Sequence, residues 1–183
     1  MNNTLKLTTM AFAILLNIIG SFISVTFKLP IFLDTIGTFL SAFMFGPVGG
    51  ILTGVATSII NGVTFDPYSL YFAPVQVTIG LCAGLIYKRG LFSGKLIPLG
   101  IFLVTIAGSL ISSVIVGYVF GGITSSGTSI IVMYLKEAGV NIVASIFSTQ
   151  ILFDLLDKSI TVVIVMNIMK ILPKTYERKL KGE

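Results

Sequence analysis

The chain has no histidine, no tryptophan and a single cysteine. Without histidine, the commonest metal ligand and the commonest general base at neutral pH are both missing. The lone Cys82 lies inside an apolar stretch, so neither a disulfide framework nor a paired-thiolate metal site can form. Charge is scarce as well. Asp, Glu, Lys and Arg make up 10% of 183 residues, where a soluble domain usually carries about a quarter. No glycine-rich loop runs into Lys-Ser or Lys-Thr, so there is no P-loop. Carboxylates with neither a metal partner nor a base beside them do not make an enzyme. The expectation is a protein that is not an enzyme and uses no cofactor and no metal.

What fills the chain instead is hydrocarbon. Apolar residues make up 55% of the sequence, and mean hydropathy is +1.03. The solvent for such a chain is a lipid bilayer. Helices must do the spanning, because the strict alternation of a membrane barrel is absent. Six apolar stretches are separable, each near the roughly 20 residues that a spanning helix needs. The predicted helices cover about 5–27, 31–46, 48–63, 74–88, 96–120 and 146–172, the last starting at either Ile146 or Ile151. Gly46-Pro47 makes a turn too tight to hold a loop between the second and third. A polar, aromatic connection over 65–73 precedes the fourth, and Gly121-Gly122 ends the fifth. The stretch from Gly121 to Ile146 is too polar to span and too apolar for free solvent, and it reads as re-entrant or interfacial. The first stretch is too long for a signal-peptide core and reads as a retained helix. The fold class is therefore an all-α integral membrane protein. A single embedded domain covers 1–183, with 173–183 as a basic tail.

The net charge of +5 reads as an orientation signal and not as a nucleic-acid footprint. With six spans, one side holds Lys6, Lys88, Arg89, Lys95, Lys170, Lys174, Arg178, Lys179 and Lys181, and the other only Lys28, Lys136 and Lys158. Nine against three predicts both termini in the cytoplasm.

Polar residues in or beside the outer half of the membrane are the candidate ligand contacts, because ionisable groups there usually face a cavity or a partner. Asp34 is expected at the outer end of the second helix, as a ligand-facing carboxylate or as an N-cap. Asn61 and Gln76 offer amides to a ligand, or a cap and an interhelical hydrogen bond. Tyr68 and Tyr71 would wall the ligand or anchor at the interface. Asp154, Asp157 and Lys158 form the strongest polar cluster. Spacing pairs Asp154 with Lys158 in the favourable acid-first order, which leaves Asp157 for a ligand or an outer loop. Small residues recur at Thr9, Ala13, Asn17 and Ser21, a stripe suited to close approach of a partner helix or to packing within the bundle. The series Gly50, Gly54 and Ser58 reads as internal packing.

Six short helices, Leu33-Asp34-Thr35-Ile36-Gly37-Thr38, the turn Gly46-Pro47-Val48-Gly49-Gly50, and Phe153-Asp154-Leu155-Leu156-Asp157-Lys158 together resemble an S component of an energy-coupling factor (ECF) transporter. The resemblance covers essentially the whole chain. It implies a subunit that binds a vitamin or similar small nutrient from outside, in a pocket closed by loops. It also implies partners: a transmembrane coupling subunit and two cytoplasmic ATPases. Helix one would meet the coupling subunit through an Ala-xxx-Ala type stripe, in which Ala13 fits one position and Asn17 replaces the second alanine. A thiamine-type pocket is not expected without tryptophan or histidine, while a flavin-like or other heteroaromatic ligand stays open. Three rivals come from other classes. A membrane-embedded ligand sensor is normally fused to an output domain. A secondary transporter would show inverted repeats, and none is convincing. An intramembrane enzyme would need nucleophile–base pairs.

Overall fold

A computed structural model describes residues 3–172. The expected basic tail lies outside the described residues. Those residues form helices and connections, with no strand among them. The elements are α1 (Asn3–Thr26), α2 (Ile36–Thr64), α3 (Tyr68–Tyr71), α4 (Ala73–Lys88), α5 (Ile97–Val114), α6 (Thr128–Glu137) and α7 (Ile142–Ile171). A 3₁₀ turn at Gly94–Leu96 leads into α5, and a π-helical turn at Ile115–Val119 ends it. Three helical stretches are long and apolar enough to cross a membrane, Asn3–Thr26, Ile36–Thr64 and Gly94–Val119.

The second of these is not one rod. Gly46 stands at φ 76°, ψ −171°, a backbone conformation that a Cβ disfavours. Pro47 then begins the next rod, a position where its missing N–H costs nothing. The halves fold back on each other: Thr53 donates to Ser41 at 2.8 Å, and a Cβ on Gly50 would stand 2.8 Å from that of Ala42. The hairpin expected at Gly46-Pro47 is therefore present.

α1 packs with its polar, small-residue face inward, the reverse of a helix in a soluble bundle. On α1, Leu7, Phe12, Leu15, Ile19 and Phe22 are exposed, while Thr9, Ala13, Asn17 and Ser21 are buried. Lipid is as apolar as leucine, so small residues gather where backbones must approach. A Cβ on Gly80 would lie 2.5 Å from the backbone of Gly50 and Ile51, and one on Gly84 would lie 2.5 Å from Pro47. Gly50 and Gly54 thus pack internally, against Gly80 and Gln76 of α4, while Ser58, also expected to pack, is buried at the cavity.

Two boundaries differ from expectation. α2 begins at Ile36, not near Ile31, because 27–35 is a loop that descends into the bundle. Its Leu33 carbonyl lies against Gly20, and the Gly37 N–H donates to Asn17 Oδ1 at 2.6 Å, midway along α1. α7 begins at Ile142, earlier than Ile146 or Ile151, because Asn141 caps it by accepting from the Val143 N–H at 2.9 Å. Between Gly121 and Ile146, α6 lies against α7, with Val132 packed on Val116 and Ile146.

Around the Gly46 turn the interior is aromatic. Phe43 stacks on Tyr87 with ring centroids 4.1 Å apart, and Phe39 and Phe92 pack beside them. At the opposite end, where 27–35 and 121–127 meet, the interior is polar and encloses a cavity.

Candidate functional site

The cavity lies between α1, α2, α4, α5 and α7, beneath Phe32, Asp34 and Thr124–Ser126. Its empty space is about 770 Å³, counting the open mouth. The covering segments hold each other: the Gly127 N–H donates to the Leu29 carbonyl at 3.3 Å, and Gly127 has no room for a Cβ against Lys28.

A relay of hydrogen bonds sets the wall nearest α1. Asn17 Nδ2 donates to Thr38 and to Thr57, both at 3.0 Å. Thr38 donates to Gln76 Oε1 at 3.0 Å, and this turns Gln76 Nε2 toward Asp34, whose Oδ2 accepts it at 2.8 Å. Asp34 thus stands in the loop, just ahead of α2, where the positive end of the helix dipole favours a carboxylate.

The wall from α7 carries the ion cluster. Lys158 Nζ is 2.7 Å from Asp157 Oδ2 and 3.5 Å from Asp154 Oδ1. The pairing expected from spacing is present, but the adjacent Asp157 is the closer partner. Asp154 is held by Ser109, which donates to its Oδ2 at 2.6 Å. Asp157, 0% exposed, accepts the Phe32 and Leu33 N–H groups on Oδ1 at 3.1 and 2.7 Å. It staples the loop down, in a stretch where Leu33 holds a left-handed φ of 52°.

Of the expected ligand contacts, Asp34, Asn61, Gln76 and Lys158 come together on the cavity. Asp157 lies behind Lys158 and is absent from the lining. Tyr68 and Tyr71 pack their rings on Phe120 instead, with centroids 4.9 and 5.2 Å away. The aromatic walls are Phe32 and Phe72.

The Thr9, Ala13 and Asn17 stripe faces inward. Ala13 and Asn17 are 0% exposed, and Gly37 of α2 abuts the Ala13 backbone. The chain's own α2 fills the place expected for a partner helix, and the physical reason is the short α2 half that starts at that depth.

Three lining residues carry no reading from sequence, Phe32, Ser112 and Gln150, and Ser58, expected in internal packing, lines the cavity as well. Asp154 was weighed only as the partner of Lys158. A serine in an apolar helix looks the same whether it packs or binds. Gln150 carried the one legible signal, an uncharged but costly amide in the middle of a long apolar helix. It is buried and makes no side-chain hydrogen bond, and Asn61 Oδ1 is also unpaired.

No curated protein and no solved structure matches the chain. One family model does, over residues 5–169, and its description is "ECF transporter, substrate-specific component". A match of that extent over a helical membrane bundle with a polar internal cavity settles the family: the chain belongs to the substrate-specific components of ECF transporters.

Proposed function

We propose that the cavity captures a vitamin or related small micronutrient from outside the cell, and that import is driven by a separate coupling subunit and two ATPase subunits. The observation that carries this is a cavity lined by buried, unpaired polar groups, Gln150 and Asn61 Oδ1 among them, in a chain of the substrate-specific family. Buried polar groups are normally paired, so a ligand would supply what they lack. In this proposal the whole chain is one binding domain in the cell membrane. Six rods cross it: α1, the two halves of α2, α4, α5 with its π turn, and α7. The cavity faces outward and both termini face the cytoplasm, in keeping with the nine-to-three distribution of basic residues. Because the Thr9–Ala13–Asn17 stripe is occupied, docking on the coupling subunit falls to outward-facing side chains.

The test is co-purification followed by uptake. A tagged chain expressed in its own cells should bring down one membrane subunit and two ATPases, and should release a small molecule on denaturation. A chain that yields neither overturns the proposal.

A further inference from the structure

Four of the seven acidic residues of the sequence surround one end of this bundle. Asp34, Asp66 and Asp154 line the cavity, and Asp157 stands directly behind Lys158. Among the described residues Lys158 is the one basic residue in the lining, and it contacts Asp157 and Asp154. Asp157 is neutralised by that ammonium and by two loop amides. Asp66 is occupied by Ser69, which donates to it at 2.7 Å at the start of α3. Asp34 has one side-chain donor, Gln76, and Asp154 has Ser109 and the longer contact to Lys158. Among the described residues, the lining therefore holds three carboxyl groups, Asp34, Asp66 and Asp154, against one ammonium, in a partly enclosed cavity. Charge of one sign there repels a like-charged ligand far more strongly than it would in water.

A second and independent observation points to an occupant. Ser58, Ser112 and Gln150 are all more than nine-tenths buried, line the same cavity and make no side-chain hydrogen bond. Asn61 Oδ1, whose amide nitrogen already serves Ser21, and Gln150 Oε1 are unpaired acceptors that call for N–H or O–H donors, while the serine hydroxyls and the Gln150 NH₂ can also donate. The apolar part of the lining is aromatic and aliphatic, from Phe32, Phe72, Val75 and Ile79, and suits a flat ring.

We propose that the cavity selects a small organic cation, a ring bearing a protonated amine or amino-substituted nitrogen, and excludes carboxylates and phosphates. Asp34 and Asp154 receive the charged end, the unpaired amide oxygens of Asn61 and Gln150 accept from its other donors, and the serine hydroxyls pair with whichever polar group faces them. This rests on the cavity being the capture site.

A matched set of probes decides it. They share one pyridine ring and bear an aminomethyl, a hydroxymethyl or a carboxylate group. Binding to the purified full chain in detergent is followed by ligand-observed NMR, and the melting temperature without ligand reports folding. The aminomethyl compound should bind at least about tenfold tighter than the carboxylate. Asp34→Asn and Asp154→Asn should each narrow that gap. If either variant fails to fold, the gap measured on the unaltered chain still decides. Equal or tighter binding of the carboxylate overturns the charge class and leaves the capture role standing. If none of the probes binds, the compound released from protein purified from its own cells decides: a cation supports the proposal, and a neutral or anionic compound overturns it. Absence of any bound compound overturns this proposal, and the capture role falls with it only if the chain also brings down no coupling subunit and ATPases.

Discussion

Asp154 and Asp157 lie three positions apart on α7 and perform different tasks. Asp157 turns away from the cavity to hold the loop amides of Phe32 and Leu33, while Asp154 faces the cavity. Asp157→Asn should therefore act first on stability. It removes the closest carboxylate from a buried ammonium, a change worth about 3 kcal/mol at the low end of the range for broken buried pairs, since asparagine keeps one acceptor for the loop. Thermal unfolding in detergent should show the loss, and hydrogen exchange should quicken at residues 29–35. A variant as stable as the parent, with unchanged exchange, would mean that the loop is held by other contacts. Asp154→Asn should leave that exchange untouched. Spacing made Asp154 the natural partner of Lys158. What it could not show is that a loop more than a hundred positions earlier in the chain supplies Asp157 with amides.

At the scale of elements, the α1–α2 and α2–α4 contacts depend on missing side-chain volume. Ala13 is fully buried where α2 abuts α1, so Ala13→Leu overpacks that contact and should destabilise the chain by about 1–3 kcal/mol. It should lower the yield of folded protein even with no partner present. Normal folding combined with loss of partner docking would return the stripe to the interface role. Gly80→Val should do similar damage by separating α4 from Gly50. Gly46→Ala tests a different cause. The hairpin needs φ 76° with ψ −171° there, a region almost confined to glycine, where a Cβ costs about 1–3 kcal/mol. A drop in melting temperature, with the binding of any cavity ligand retained, is the expected outcome. The hairpin and the packing of Gly50 and Gly54 on α4 were legible because Gly-Pro turns and small-residue spacing are local signals. The face to which Thr9, Ala13 and Asn17 turn was not legible, because a small-residue stripe suits any close neighbour, inside or outside the chain.

At the scale of the molecule, orientation is open to labelling. In a background with Cys82 replaced by alanine, a cysteine at Lys95 should react with impermeant reagents only from the cytoplasm, and one at Ser126 only from outside. The opposite pattern would overturn the proposed topology. The sequence by itself determined the solvent, the helical class, the breaks at Gly46-Pro47 and Gly121-Gly122, and a resemblance that the family match bears out. It could do so because hydropathy, turn chemistry and chain-long pattern are read along the chain. Only the tertiary structure decided which polar groups share a cavity. The α2 start at Ile36 shows why. Nothing local forbids a helix from Ile31. Asp157 from α7 and the missing Cβ of Gly20 stabilise a descending loop there instead. That loop sets Asp34 against Gln76 and brings α2 into the inward face of α1. The rotation of each helix about its axis depends on its neighbours, and those contacts join residues far apart in the chain.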